Sequence, residues 1–444
     1  MFDHFLSALR EHKALWKSAA CLIIAGIIHP YAALAVLPLL CLHLSSKKND
    51  SDLFILFFIT LILSDSRSII FRFAHTIKPF FAIFLCLIIF SQKKHFKAKN
   101  KTFLCFIPFF FIAFYAIQNN PNPSNSLLKA ISYCLLLFVV PIFVKALWQS
   151  APEKLLKTTL LSGQIILVLG LLARLVYPNL ATLAGRYRGL LGNPNGLGIY
   201  CTLFFILSYC IWFYHKQLMT KRIWLMHFAM IGFSILLSAS RNALLSCLLF
   251  AFMAIILRKS RVLQILTILF AIFLLPLLKI YFVELVLEND LGEFFRISSV
   301  EDLEKGSGRA IAFEFAWQWI QDHYWEGQGF GFTEYLFKEH SERLRLLGHV
   351  GNAHNSFLTI WIDTGFIGLI CFIAAWSWSF IKASSKSDLA LPAYLAICFS
   401  CTFESWLAAS LNPFTIQALI ILTLLSQKSF ISKQNHEKTT LPLH

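Results

Sequence analysis

The sequence predicts an all-α fold, a polytopic transmembrane helix bundle of about 12 spans with one large outer loop, and three observations predict it. Of the 444 residues, 57% are hydrophobic and only 14% charged, with a mean hydropathy of +0.67, whereas soluble domains carry about 25% charged residues. Apolar runs long enough to cross a bilayer core of about 30 Å as helices recur along the whole length. The basic residues behind the formal net charge of +16 lie between those runs. That is the positive-inside pattern, which orients a membrane protein and is not a nucleic-acid-binding surface. Membrane lipids are therefore expected as partners, and nucleic acid is not.

In chain order, residues 1–17 are mixed and the run after them lacks a small-residue cleavage pattern, so the N-terminus is expected to be retained. Apolar runs at 19–28, 32–44 and 53–63, with His29-Pro30 breaking the first pair, read as thin spans or a kinked hairpin. Residues 80–90 lead into the strongest charge run, Lys93, Lys94, Lys97, Lys99 and Lys101, which fixes the inner side. Residues 103–117 then lead out to the uncharged, turn-rich 118–123. The alternation continues through 127–144 to Lys145, Lys154 and Lys157, out along 160–176, and in along 197–212 to Lys216, Lys221 and Arg222. It goes out again to 238–242, in to Arg258, Lys259 and Arg261, and out along 262–286. The large loop that follows holds about half of all Asp and Glu. After His354 the chain runs in to Lys382 and Lys386, out near Glu404 to Asn412, and in to a tail with Lys428, Lys433 and Lys438. Both termini are expected on the inner side, with the chain divided into a bundle (1–287), a loop with short helices (288–354) and a C-terminal part with a basic tail (355–444).

None of the 11 cysteines falls in 288–354, so no disulfide framework is implied there, and Cys398 and Cys401 read as small apolar side chains on a buried helix.

Two arginines break the inside pattern. Arg188 lies within Gly185-Arg186-Tyr187-Arg188-Gly189, ahead of Gly192-Asn193-Pro194-Asn195, and Arg241 lies in Ser240-Arg241-Asn242. A guanidinium beside a span is costly unless it is paired or faces an aqueous cavity. It can snorkel or pair with a carboxylate, or it can hold phosphate bidentately. The glycines and Asn193-Pro194-Asn195 would let backbone N–H groups approach an anion at the next helix N-terminus. Arg309 is a third cation, in Gly306-Ser307-Gly308-Arg309, which reads as a helix start with Ser307 as cap. The apolar 310–320 predicts a helix against the membrane surface or the bundle. Trp317, Trp319, Tyr324 and Trp325 read equally as an interfacial belt or as sugar-stacking rings. The glycines at 327–331 lack the βαβ context of a dinucleotide fingerprint, and that function is excluded.

His354 is the sharpest signal, placed between Asn352 and Asn355 where the polar loop meets an apolar run. A lone histidine there can be merely a satisfied polar group. Its asparagine neighbours and the outward arginines favour catalysis, because imidazole can take a proton from an attacking hydroxyl near neutral pH. No HxxxH or carboxylate partner stands at ligand spacing, so no metal is expected. The catalytic candidates are His354, Arg188 and Arg241; the substrate-binding candidates are Arg186, Asn193, Asn195, Arg309, Asn352 and Asn355.

Taken with Gly308-Arg309 before Trp317, the turn at 327–331, and His354-Asn355-Ser356-Phe357-Leu358 before Gly365 and Gly368, these segments resemble the O-antigen ligase and polymerase superfamily of bacterial envelope glycosyltransferases over roughly residues 185–368. The resemblance implies a GT-C-like helical fold in the inner membrane, with a large periplasmic loop and an active site facing the periplasm. It implies a glycan donor on undecaprenyl pyrophosphate, with no cofactor, nucleotide sugar or metal. Arg188 and Arg241 match the family's pyrophosphate-binding arginines and His354 its essential histidine. Two fixed guanidiniums suit a pyrophosphate leaving group, whose developing charge needs stabilising. The expected activity is that of an O-antigen ligase acting on a lipid A core sugar, favoured by one dominant outer loop and no large extra C-terminal domain. Alternatives are an O-antigen polymerase, a protein O-oligosaccharyltransferase or, outside enzymes, an anion or solute transporter, for which the expected internal repeat is not evident.

Overall fold

The computed structural model describes residues 12–47, 49–66, 68–92, 101–257, 260, 262–263 and 309–431. The described chain is helical apart from a short antiparallel ladder, β1 (Thr182–Leu183) against β2 (Arg186–Tyr187). Before the ladder come α1 (Lys13–Ile28), α2 (Pro30–Ser46), α3 (Asp50–Asp65), α4 (Arg72–Ser91), α5 (Lys101–Tyr115), α6 (Pro123–Ser150) and α7 (Pro152–Val176). After it come α8 (Pro194–Tyr214), α9 (Lys221–Ser238) and α10 (Arg241–Phe252). The last third holds α11 (Arg309–Asp322), α12 (Phe332–Glu339), α13 (Ser341–Leu346), α14 (Ser356–Ser384), α15 (Ala390–Phe403) and α16 (Pro413–Leu425).

Among the described residues, seven helical stretches are long and apolar enough to cross a membrane: Ile69–Ser91, Lys101–Asn119, Pro123–Ser150, Pro152–Val176, Pro194–Tyr214, Lys221–Ser238 and Ser356–Ser384. Shorter apolar helices at Pro30–Ser46, Arg241–Ile256, Ala390–Phe403 and Pro413–Leu425 stand among them. These establish a polytopic all-α bundle. The figure of about 12 spans rests in addition on the short helices and on the run at 262–286, most of which lies outside the described residues. So do the lysines at 93–99, the basic cluster at 258–261 except Ser260, the first part of the large loop with Ser307, and the tail beyond 431.

Local sequence explains the breaks. At His29 the backbone is extended, its imidazole accepts the Tyr31 N–H, and Pro30 opens α2 where its missing N–H is not needed. Helix α3 runs through the centre with every residue from Asp50 to Leu63 buried. Exposed Ile28, Leu42, Phe111, Leu175 and Leu225 give the outer surface an apolar character suited to lipid.

Helix α14 carries the largest break. Gly365 takes φ +72, and the loop from Tyr324 to Thr333 docks there: Gln328 and Gly329 donate their N–H groups to the Ile362 and Asp363 carbonyls, and Phe366 donates to the Tyr324 carbonyl (3.1, 2.9 and 3.1 Å). The buried Asp363 carboxylate accepts the Gly331 N–H (2.7 Å) and both the N–H and hydroxyl of Thr333 (2.8 and 2.7 Å). From the other side, Asn119 and Asn120 donate to the Gly327 and Gln328 carbonyls. A side chain at Gly365 would overlap the Trp325 carbonyl. Beside this junction the segment from Arg309 onward has a small core of its own, in which Ala312, Ala316 and Ile320, spaced to share one face of α11, belong with Phe332, Leu336 and Ile362. Helix α11 thus packs on the bundle through α14.

Candidate active site

Glu404 is the centre of the polar network at the end of the bundle where α14 begins. It follows α15 in an extended conformation (φ −149, ψ 143) and is only 8% exposed. The start of α14 holds it there: the Ser356 hydroxyl donates to the Glu404 carbonyl (2.7 Å) and accepts the Leu407 N–H (3.2 Å), and the Asn355 N–H donates to the Ser405 hydroxyl (3.0 Å). A carboxylate so buried must be paired. Its Oε1 accepts from Arg309 Nη2 (2.5 Å) and Asn195 Nδ2 (2.9 Å), and its Oε2 faces His354 Nδ1 at 3.3 Å. An ionised carboxylate can only accept, so the proton on neutral His354 belongs on Nδ1 and the lone pair on Nε2. That leaves Nε2 as the basic atom.

The loop before α14 is shaped around that imidazole. His354 takes φ +45, a left-handed conformation uncommon for a residue with a side chain, and its N–H donates to Asn352 Oδ1 (3.1 Å). Gly351 takes φ +125, and a Cβ there would lie 2.8 Å from His354 Nε2. A cleft of about 180 Å³ lined by Glu342, Arg345, His349 and Gly351 opens on this side, and the His349 ring packs edge-on against His354. A smaller cleft beyond Asn352 is lined by Lys129, Glu334, Ser405 and Ser410, with Lys129 paired to Glu334 (2.7 Å).

Of the residues singled out in the sequence, Arg309, Asn195 and His354 meet at Glu404. Arg186 joins through Asn195: its Nη2 donates to Asn195 Oδ1 (3.1 Å), to Ser238 O (2.7 Å) and to Ala239 O (3.1 Å). This secures the left-handed turn at Ala239 (φ +47) that starts Ser240-Arg241-Asn242. Asn242 donates to the Ser400 carbonyl (3.3 Å), one turn before Glu404, which brings the first turn of α10 to the same end of the bundle. A cation such as Arg241 in a helix's first turn opposes the macrodipole, at about 0.3–1 kcal/mol, and a bound anion would be attracted by both.

Arg188 is placed differently. It lies next to the ladder, whose turn at Ala184 and Gly185 has positive φ at both positions, and donates to the carbonyls of Leu180 (3.1 Å), Gly192 (3.3 Å) and Asn179 (3.4 Å). Between the two arginines, Tyr187 is buried, with the Arg174 guanidinium over its ring, and burial holds its phenol above the usual range and so neutral. The Gly192 N–H donates to Asp65 (3.0 Å), fixing the loop to the end of α3. Asn193 and Asn355 are helix caps, accepting the N–H groups of Gly196 and of Phe357 and Leu358. Their oxygens build the backbone that presents the site.

Sequence reasoning missed Glu404 as a site residue. The signal was that it is the only acidic residue between Asp388 and Glu437, beside an apolar span, and an ionisable group so placed is a functional hypothesis by default.

Residues 226–373 match the family Wzy_C, O-antigen ligase. The match contains Arg241, Arg309, Gly351 and His354; the Arg186 to Asn195 segment and Glu404 lie outside it. None of the curated proteins compared matches the chain. The chain is therefore a multi-pass membrane protein in which residues 226–373 match the O-antigen ligase family.

Proposed function

We propose that the protein transfers a glycan from undecaprenyl pyrophosphate to a hydroxyl of the lipid A core oligosaccharide, at the periplasmic face of the bacterial inner membrane. The observation that carries this reading is Glu404, which faces His354 Nδ1 while Arg309 and Asn195 hold Glu404. A carboxylate that orients an imidazole is the arrangement by which acyl-transfer enzymes make a hydroxyl nucleophilic. Here the acceptor oxygen bonds to the anomeric carbon as the bond from that carbon to the pyrophosphate oxygen breaks. The acceptor proton passes to His354 Nε2, and undecaprenyl pyrophosphate leaves with the bonding electrons. Attack opposite the leaving group gives inversion.

Arg241 and Arg188 are the proposed pyrophosphate ligands. Arg241 acts from the first turn of α10, and Arg186 positions that turn through its bonds to Ser238 and Ala239. Arg188 contributes by exchanging carbonyl contacts in its loop for phosphate oxygens. Binding here involves the chain's own guanidiniums, which keep their charge at every working pH. The deciding experiment deletes the gene and resolves the envelope glycans by size. Loss of all capped lipopolysaccharide is expected; a single repeat left on the core would make the protein a polymerase, and unchanged glycans would remove it from this pathway.

A further inference from the structure

The other end of the bundle gathers charge in a different way. Lys101 at the start of α5, Lys145 near the end of α6, and Lys382 and Lys386 at and beyond the last turn of α14 line one cavity of about 250 Å³. Lys382 lies 28 positions after His354, near the opposite end of α14, about 40 Å away at the helical rise. Among the described residues that line it there is no Asp or Glu. The positive-inside rule accounts for lysines on one side of a membrane, but it says nothing about where they converge. Here three helices bring four ammonium groups to one concave site.

The walls between the lysines are apolar. Cys105, Pro141 and Trp378 line the cavity, and Trp378, 60% exposed, shares one face of α14 with exposed Ile381, three residues on. Tryptophan with an apolar face and a polar edge suits the level of the lipid headgroups. Lys386 donates to the Ser426 carbonyl at the end of α16, which fixes one wall. Burial, and the neighbouring charges of Lys382, Lys428, Lys101 and Lys145, press its amine below the ordinary lysine range. A bound anion would relieve that repulsion.

We propose that this cavity binds the phosphate of an anionic phospholipid of the inner leaflet, with Lys101, Lys145, Lys382 and Lys386 around the headgroup and Trp378 beside the first acyl segment. Basic pockets between transmembrane helices recognise such headgroups by charge and shape together. The site is independent of the transfer chemistry.

The test uses the full-length protein in detergent, with lipid retention read by native mass spectrometry and affinity by titration. Phosphatidylglycerol, phosphatidylcholine and inorganic phosphate are the probes. Phosphatidylglycerol should be retained and phosphatidylcholine not. Two double variants, Lys101→Gln with Lys382→Gln and Lys145→Gln with Lys386→Gln, should each weaken phosphatidylglycerol binding by roughly 10- to 30-fold. Lys221→Gln with Arg222→Gln, the same loss of charge elsewhere, should leave it unchanged. The use of two separate pairs keeps the test independent of whether one of them folds. Equal retention of phosphatidylcholine, or an equal loss in the Lys221 and Arg222 variant, would overturn the site. Competition by inorganic phosphate at matching concentration would overturn the lipid and make a soluble phosphate the ligand.

Discussion

The two ends of the bundle both collect cations, but at one end Arg309 is bonded to a carboxylate, and at the other no carboxylate is among the described residues that line the cavity. Near His354 the charged groups are Arg309 and Glu404, with Asn195 and Arg186 extending the network. At the far end they are lysines around a cavity. Arginine's planar fork fixes atoms, whereas an ammonium on a flexible stem supplies charge without fixed geometry. On the proposed reading the first end holds a proton acceptor in one orientation, and the second holds an anion by charge.

The contrast breaks most readily at His354. His354→Ala or His354→Gln should lower glycan transfer by about 10²-fold or more, the usual range for a general base, with binding of the lipid-linked donor retained. Native-level transfer by either variant would remove the base. Loss of donor binding would instead move His354 to the donor side.

Glu404→Gln comes next. Arg309 and Asn195 both donate to Oε1, so the amide carbonyl of Gln must stay there and its NH₂ must face His354 Nδ1. That forces the imidazole proton onto Nε2 and removes the lone pair. Transfer should fall by about 10²-fold, the low end of what a general base contributes, and adding His354→Ala should cost little more, because residues that act as a unit are not additive. Full additivity of the two changes, measured as transfer rates, would show that Glu404 does not work through His354.

A conservative exchange at each end sharpens the difference. Arg241→Lys keeps charge and loses the fork, and should cost about tenfold in transfer. Lys382→Arg at the far end should leave phosphatidylglycerol retention unchanged, since charge alone is asked of it. Equal tolerance at both ends would erase the distinction.

Much of this was legible in the sequence, and what was not has physical causes. The helices follow from the apolar runs, and the α1 to α2 break from His29-Pro30. Arg186, Asn195, Arg309 and His354 stood out as polar residues at the edges of greasy segments. The carboxylate they share did not, because its bonds span 50, 95 and 209 residues and local spacing carries no trace of such partners. The ladder at 182–187 was hidden because Ala184 takes φ +50, where Asn or Gly would have signalled the turn. The break in α14 was hidden because Gly365 sits in a run that reads as one span, and only the docked loop, tied to Asp363, explains it.

The smallest expected effect separates backbone strain from the space around the base. Gly348 and Gly351 both have positive φ, +92 and +125, in the same loop, so alanine strains the backbone at either. They differ in what a Cβ would meet: nothing within 4 Å at Gly348, but His354 Nε2 at 2.8 Å at Gly351. Gly348→Ala should therefore lower thermal stability slightly, by about 1 kcal/mol, and leave transfer unchanged. Gly351→Ala should lower stability by a similar amount and also reduce transfer a few-fold, by crowding Nε2, the atom that takes the acceptor proton on the proposed reading. Both are measured on the same preparations, as a melting temperature and a transfer rate. Equal transfer in the two variants would mean that the imidazole shifts at no cost, and that its position is held less tightly than the 3.3 Å contact with Glu404 implies.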